Sequence, residues 1–214
     1  MIEGRIHLVR HAESVHNVDK DFSRRDPELT PLGCQQAETL GRTFPYSDKL
    51  GLVITSPLRR TIQTTLLAFT NVLDKSYYDE GSGKGIDRGA ELLLDPDLQE
   101  RSSLPCDTGS ERRALEIVFP SLDFSTLQPG WLSKEGFYSA DDSAVSRRAG
   151  KVRGQLRERI VALKDSERRD VVVVTHGVFM KYLSGDPEID LPKAGWESYT
   201  IKEDEERGSV LVPV

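Results

Sequence analysis

Apolar and polar residues fall into blocks along the chain that predict strands alternating with helices. Residues 5–10 are a short β-prone run, and residues 50–55 are β-branched and apolar without a charge. Residues 171–175 form a continuous apolar run, which is typical of a strand buried on both faces of a parallel sheet. Short strands at 199–201 and 210–212 flank an acidic turn and predict a hairpin at the sheet edge.

Caps and apolar spacing predict helices between these strands. Thr30-Pro31 provides an N-cap and a first-turn proline, and Ser56-Pro57 repeats that arrangement. A helix capped near residues 141–143 carries an apolar stripe, and a short helix is expected at 178–183. We interpret the charged face of the long helix as solvated; it comprises Arg147, Arg148, Lys151, Arg153, Arg157 and Arg159. The alternation indicates an α/β fold with a mainly parallel sheet.

The region of about 75–136 is predicted to be a lid or insertion within a single 1–214 domain. Residues 75–90 have the composition of an exposed loop, and 102–136 are broken by prolines and glycines. Arg112 and Arg113 are candidates for a second anionic group on a substrate. The apolar residues of this region either line the lid or belong to the ordinary packing of the core, and we favour packing. They are Leu104, Phe119, Phe124, Leu127, Trp131, Phe137 and Tyr138.

The charge balance limits the classes of partner. A net charge of −6 argues against a general nucleic-acid binder, and an anionic substrate would need positive charge concentrated locally. The apolar runs are shorter than a membrane span, so no membrane partner is expected. Cys34 and Cys106 are the two cysteines, and a reduced, cytoplasmic setting fits this usage best.

Cationic or potentially cationic side chains follow three predicted strands. These are Arg10-His11, the Arg59-Arg60 pair after residue 56, and His176. Ligands of open α/β sheets bind beyond the carboxyl ends of the strands, so these groups indicate a phosphate site. A neutral imidazole avoids the repulsion that an anionic nucleophile meets at a phosphate dianion. Arg59 and Arg60 are adjacent and cannot both face one site, and His7, inside a strand, is interpreted as a packed histidine.

The motifs at these positions resemble the histidine phosphatase superfamily, in the branch that includes phosphoglycerate mutases and fructose-2,6-bisphosphatases. The matching runs, in order, are LVRHAES at 8–14 with Asn17 beyond it, LTPLGCQQA at 29–37, SPLRRT at 56–61, DLQER at 97–101 and VTHG at 174–177. The resemblance implies a three-layer α/β/α architecture like that of phosphoglycerate mutase. Residues 123–136 are similar to small fungal phosphatases of this superfamily.

The resemblance also implies a role for each matching residue. His11 corresponds to the phosphorylated nucleophile, and Glu100 to the general acid and base. The rest of the implied catalytic and phosphate-binding set is Arg10, Asn17, Arg60, His176 and Gly177. The resemblance selects Arg60 over Arg59, and it implies neither a cofactor nor a metal.

Two departures from the family pattern affect the expected activity. Ala12 stands where glycine is more usual, and residues 102–109 lack the aromatic and glycine-bearing stretch of the mutases. We therefore expect a metal-independent phosphatase acting on a small-molecule phosphate ester. The sequence leaves the substrate open between a sugar phosphate, a nucleotide, a phosphoprotein, and an apolar phosphate or diphosphate ester. The rival hypotheses are a phosphoglycerate mutase-like transferase and a non-catalytic interaction module, and the oligomeric state stays open.

Overall fold

A computed structural model describes residues 4–214, so the first three residues of the predicted 1–214 domain lie outside the described range. Six strands form one sheet in the order β3-β2-β4-β1-β5-β6. They are β1 (Ile6–Arg10), β2 (Leu50–Thr55), β3 (Glu91–Leu94), β4 (Asp170–Thr175), β5 (Trp196–Asp204) and β6 (Gly208–Pro213).

The sheet is mainly parallel, as predicted. β1 pairs in parallel with β4, β4 with β2, and β2 with β3. β5 runs antiparallel to β1 and forms the predicted hairpin with β6 at the sheet edge. The carboxyl ends of β1, β2 and β4 therefore meet at one edge of the sheet.

Helices cover both faces of the sheet and give the expected three layers. The face that includes Val172 and Val174 packs against α2 and α3, and the face that includes Val171 and Val173 packs against α5 and α6. This two-sided burial explains the continuous apolar run in β4. The helices are α1 (Val15–Asp19), α2 (Pro31–Thr43), α3 (Arg59–Ala68), α4 (Arg112–Val118), α5 (Asp142–Ala162) and α6 (Gly177–Ser184).

One of the two predicted cap-plus-proline helix starts is confirmed and the other is wrong. Thr30 caps α2, where its Oγ1 accepts from the N–H of Gly33 across 2.9 Å. Helix α3 begins at Arg59 rather than near Ser56, with Leu58 at the N-cap position. Ser56 instead follows the end of β2, where its N–H donates to the carbonyl of Val174 and continues the pairing with β4.

The solvated interpretation of the charged face of α5 is wrong for Arg148. This side chain has no exposed surface, and its Nη1 donates to the carbonyl oxygens of Asp97 and Gln99 across 2.8 Å and 2.5 Å. Its guanidinium carbon also lies 4.4 Å from the ring centre of Phe179. The face is buried there because residues 97–99, which lead to Glu100, pack across the helix.

The predicted lid region contributes to the sheet and to the core. Within 75–136 the chain forms strand β3 and helix α4, neither of which the sequence pattern predicted. Phe124, Leu127 and Trp131 are buried in the core on the α2/α3 face of the sheet, as the packing interpretation expects. Among residues 4–214, no helix has both the length and the apolar character that crossing a bilayer requires.

Candidate active site

Two histidines meet where the neighbouring parallel strands β1 and β4 end. His11 follows β1 and His176 follows β4, and the N–H of His11 donates to the carbonyl of Thr175 across 3.0 Å. Their ring centres lie 5.2 Å apart, and both side chains are buried. The topology thus brings together two residues that are far apart in the sequence.

The imidazole of His11 is held in one orientation and one charge state. Its Nδ1 lies 2.7 Å from the carbonyl oxygen of Ala12, which can only accept, so Nδ1 carries the hydrogen. Its Nε2 accepts from Nε of Arg60 across 3.3 Å. Burial, and then the positive charges of Arg60 and Lys193, lower the pKa of His11 well below its ordinary value. His11 is therefore neutral near pH 7, with its lone pair on Nε2.

Arg60 lies at the centre of the cluster. Its side chain is 1% exposed; Nη1 donates to the carbonyl of Cys106, and Nη2 donates to Oδ1 of Asp107 and faces Nδ1 of His176. Its neighbour Arg59 turns away and pairs with Glu28 across 2.8 Å. Of the two arginines between which the sequence pattern could not choose, Arg60 is the one beside the histidines.

His176 connects Arg60 to the end of β2. Since Nη2 of Arg60 donates to its Nδ1, the hydrogen of the neutral ring lies on Nε2, which donates to Oγ of Ser56 across 2.9 Å. Burial, followed by the charge of Arg60, lowers the pKa of His176 well below its ordinary value. Both ring nitrogens are thereby fixed.

Arg10 carries a buried donor that no described residue satisfies. Its Nη1 donates to Oδ1 of Asp190 across 2.8 Å and to the carbonyl of Leu191. Its Nε is buried without a hydrogen-bond partner within residues 4–214. A Cβ at Gly177 would lie 3.1 Å from the guanidinium, so glycine allows Arg10 its close approach to the start of α6. An unpaired buried N–H is costly unless a ligand accepts from it.

Glu100 approaches the start of α6 from a third side of the site. Its carboxylate accepts three backbone N–H groups: Oε1 from Arg101 and Phe179 across 2.8 Å and 2.9 Å, and Oε2 from Val178 across 3.1 Å. The side chain is 8% exposed. These bonds and the positive end of the helix dipole stabilise the carboxylate and fix its position at the pocket.

Among the pocket residues that the sequence reasoning missed are two basic side chains with lowered pKa values, His16 and Lys193. Nδ2 of Asn17 donates to Nε2 of His16 across 3.1 Å, and Nδ1 of His16 bonds to Oγ of Ser14. Burial lowers the pKa of His16 to about 4. Burial, then the charge of Arg10, lowers the pKa of Lys193 to about 8. The position of His16, five residues after His11, was the available signal, whereas nothing in the pattern around Lys193 indicated a site.

These side chains line one pocket of about 300 Å³. Every residue of the predicted set borders it except His176, which lies behind Arg60. The lining residues are Arg10, His11, His16, Asn17, Phe22, Arg60, Glu100, Ser102, Leu104, Cys106, Asp107, Gly177, Val178, Lys181, Asp190 and Lys193. Arg112 and Arg113 are not among them, and Arg112 pairs with Glu116 on the exposed surface of α4.

One group of side chains in this pocket has donor atoms close enough for a metal ion. Single atoms of His16, Cys106 and Asp107 lie within 4.8 Å of one another. Asp107 already accepts from Arg60 and from Oγ of Ser102, across 2.9 Å and 2.6 Å. The neighbouring guanidinium disfavours a cation there, so the residues fit an anion better than a metal.

Comparisons with known proteins find relatives of this chain. Residues 6–76 match the sequence model of the histidine phosphatase superfamily (branch 1). A "Phosphoglycerate mutase-like protein" of Arabidopsis thaliana is 36% identical over 147 residues, which are 58% of this chain and 54% of that protein. A "Probable phosphatase" of Schizosaccharomyces pombe is 28% identical over 205 residues, or 90% of this chain and 85% of that protein.

A solved structure extends the likeness to the whole fold. A mycobacterial glucosyl-3-phosphoglycerate phosphatase, solved with VO3, superimposes with a TM-score of 0.57 at 20% identity over 98% of both chains. The chain spans about half the length of the plant relative and most of the yeast relative. The predicted likeness to a fungal phosphatase is confirmed by the yeast match.

Proposed function

We propose that this chain is a member of the histidine phosphatase superfamily and acts as a metal-independent phosphatase that forms a phosphohistidine on His11. The observation that carries the proposal is the state of His11: a neutral ring whose Nδ1–H is fixed on Ala12 and whose Nε2 lone pair faces the arginine cluster. A phosphate drawn to those cations would meet a nucleophile that is already oriented.

The proposed first step transfers the phosphoryl group to the enzyme. Nε2 of His11 attacks phosphorus, the bond from phosphorus to the ester oxygen breaks, and Glu100 protonates the departing oxygen. A phosphate dianion beside Glu100 would oppose the stabilisation that three backbone N–H groups give its carboxylate, since two anionic groups at short range repel each other. In the second step Glu100 removes a proton from water, the resulting oxygen attacks phosphorus, and the P–N bond breaks. His11 returns to its neutral form and inorganic phosphate leaves.

The cations of the pocket supply the charge that the transferring group needs. Arg60 offers a buried guanidinium, and Arg10, whose side chain is 22% exposed, offers a second one at the pocket. Lys193 lies close enough to lower the pKa of His11 and is assigned here as a further phosphate contact. Asn17, His176 and Gly177 keep their predicted supporting roles in binding phosphate. Fixed cations around a phosphoryl group lower its barrier in a water-poor site.

The mutase-like alternative is supported by the similarity to the "Phosphoglycerate mutase-like protein" of Arabidopsis thaliana. Residues 102–109 close over Arg60 through the carbonyl of Cys106 and the carboxylate of Asp107, and they lack the mutase-type stretch. Assays of 3-phosphoglycerate hydrolysis and of phosphate exchange between phosphoglycerates separate the two activities.

Trapping the phosphoenzyme tests the proposal directly. The full chain is mixed with a radiolabelled aryl phosphate in excess chelator and quenched, and we expect an acid-labile, alkali-stable protein phosphate. His11→Asn should abolish both labelling and turnover, whereas the matched control His7→Gln should retain them, because His7 contacts Ser198 and Asp170 away from the pocket. Both variants are checked by thermal unfolding. Turnover that survives in His11→Asn, or that requires added divalent metal, would overturn the proposal.

A further inference from the structure

The outer part of the pocket carries a group of apolar side chains beside polar ones such as Asp190 and Lys181. Three of its lining residues are large apolar side chains with substantial exposure: Phe22 is 45% exposed, Leu104 48% and Val178 42%. Exposed apolar side chains scattered singly over a surface are ordinary, but three around one small opening form a contact surface for a ligand. We call Phe22, Leu104 and Val178 the apolar rim.

From the apolar rim we infer that the substrates are phosphate monoesters with an apolar leaving group, either an aryl or a longer alkyl alcohol. The inference rests on the proposed function, because the leaving group is defined only once His11 is taken as the nucleophile. It adds a substrate class to that function and assigns Phe22, Leu104 and Val178 as specificity-determining residues.

Val178 lies where the leaving group must pass. Its backbone N–H donates to Oε2 of Glu100 across 3.1 Å, so its side chain begins next to the proposed acid. The ester oxygen has to reach that carboxyl to be protonated. The carbon atoms attached to the ester oxygen are therefore brought next to Val178.

Phe22 and Leu104 belong to two segments that are bonded to each other. The N–H of Cys106 donates to the carbonyl of Phe22 across 3.2 Å, which places the 104–106 segment beside residue 22. The ring of Phe22 also lies 6.4 Å from that of His16, inside the pocket lining. A leaving group that extends outward from Glu100 meets these two side chains as well as Val178.

Two polar side chains of the pocket, Ser102 and Asp190, already have partners within the protein. Oγ of Ser102 donates to Asp107, and the carboxylate of Asp190 accepts from Arg10 across 2.8 Å. A sugar or amino-acid leaving group would have to give up water at its hydroxyl or charged groups without equivalent partners at the rim. An aryl or alkyl group has no hydrogen bonds to water to give up there, and burial of its apolar surface stabilises the complex.

A series of alkyl phosphates tests the inference on the full chain. We expect kcat/KM to rise about threefold for each added methylene from ethyl to hexyl phosphate. Hexyl phosphate should exceed glycerol phosphate and phosphoserine by at least about 30-fold on the same scale. Leu104→Ser combined with Phe22→Ser should lower the ratio of hexyl to glycerol phosphate about tenfold.

The control replaces an equally apolar residue away from the pocket. Ile117 on α4 is 75% exposed and is absent from the pocket lining, so Ile117→Ser should leave the ratio unchanged. A flat chain-length series, or faster hydrolysis of glycerol phosphate or phosphoserine, overturns the inference and leaves the phosphatase intact. Failure of the folded protein to hydrolyse any ester overturns the proposed function itself.

Discussion

Nε of Arg60 donates to Nε2 of His11 across 3.3 Å, so the guanidinium covers the lone pair that is proposed to attack phosphorus. A protonated Nε2 could not accept this bond, and the contact therefore excludes the charged imidazole from this arrangement. A phosphate oxygen that takes over the Nε–H of Arg60 would release the lone pair at the moment the substrate arrives. In the proposed mechanism Arg60 would therefore link phosphate binding to exposure of the lone pair on His11.

Replacing Arg60 with lysine should lower kcat/KM about 1,000-fold, because one ammonium cannot reproduce the planar set of donors around His11, His176 and Asp107. Steady-state kinetics with an aryl phosphate measure the loss. Arg59→Lys is the matched control, since Arg59 pairs with Glu28 outside the pocket lining, and it should stay within about twofold of the parent. Equal effects at the two positions would contradict the assignment of Arg60.

Glu100→Gln should affect substrates according to how much their leaving group needs a proton. An alkoxide leaves poorly, so kcat for hexyl phosphate should fall about 1,000-fold, whereas a nitrophenolate needs little protonation and should lose less than about tenfold. Parallel kinetics with hexyl and nitrophenyl phosphate measure the difference. Equal losses on both substrates would assign Glu100 to binding rather than to proton transfer.

The buried histidines make stability depend on pH with a definite sign. His16 has a pKa of about 4 in the folded chain against an ordinary value of 6.5, so between these values the unfolded chain binds the proton more readily. Stability is therefore complete above about pH 6.5 and is lost as the pH falls towards 4.

Replacing His16 should make that pH dependence shallower. From pH 7 to about pH 4.5 the contribution of His16 amounts to about 2 kcal/mol in the free energy of unfolding. Urea denaturation at the two pH values measures it, and the loss should be smaller by this amount in His16→Gln. An identical loss in parent and variant would show that His16 titrates normally in the folded protein.

The residues at the strand ends could be predicted from the sequence, because the carboxyl ends of parallel strands lie at one edge of a sheet. β-prone runs that end in Arg10-His11 and at His176 place those groups at one edge of a parallel sheet. The choice of Arg60 over Arg59 needed either the family resemblance or the structure. The two residues are adjacent in a helix, so they differ only in the direction in which their side chains point. A cytoplasmic location, single-domain organisation and the absence of a cofactor stay predictions.

The contacts that sequence reasoning missed depend on long-range packing. Arg148 carries the charge pattern of a solvated helix face, yet it is buried because residues 97–99 cross α5 and present their carbonyl oxygens to it. Lys193 enters the pocket from a loop just before β5, and no periodicity describes that placement. Such positions are set by where two distant segments meet, which a local pattern does not encode.

Gly177→Ala should weaken phosphate binding through Arg10. The new Cβ would lie 3.1 Å from the guanidinium, which is held by Asp190 and Leu191 and must shift by a few tenths of an ångström. We expect kcat/KM to fall about tenfold, mainly through a higher KM, because one positioned cation contact is weakened. Inhibition by vanadate or inorganic phosphate should weaken in parallel.

Gly154→Ala provides the control for that variant. Gly154 lies inside α5, and outside the helix's own backbone no atom lies within 4 Å of the added Cβ. It should leave kinetics unchanged and stabilise the protein by about 0.5–1 kcal/mol, as alanine does in helix interiors. Unchanged kinetics in Gly177→Ala as well would show that Arg10 tolerates the crowding.

Because β1 lies between β4 and β5 in the sheet, the site at its end can form only after those late segments have been synthesised. Its residue Ile6 pairs with Val171 of β4 on one side and with Tyr199 of β5 on the other. A ribosome therefore releases β1 long before either neighbour exists, and both edges of this apolar strand depend on late segments. A nascent chain stopped before β4 holds His11 without His176 and keeps a strand open to pairing with other chains.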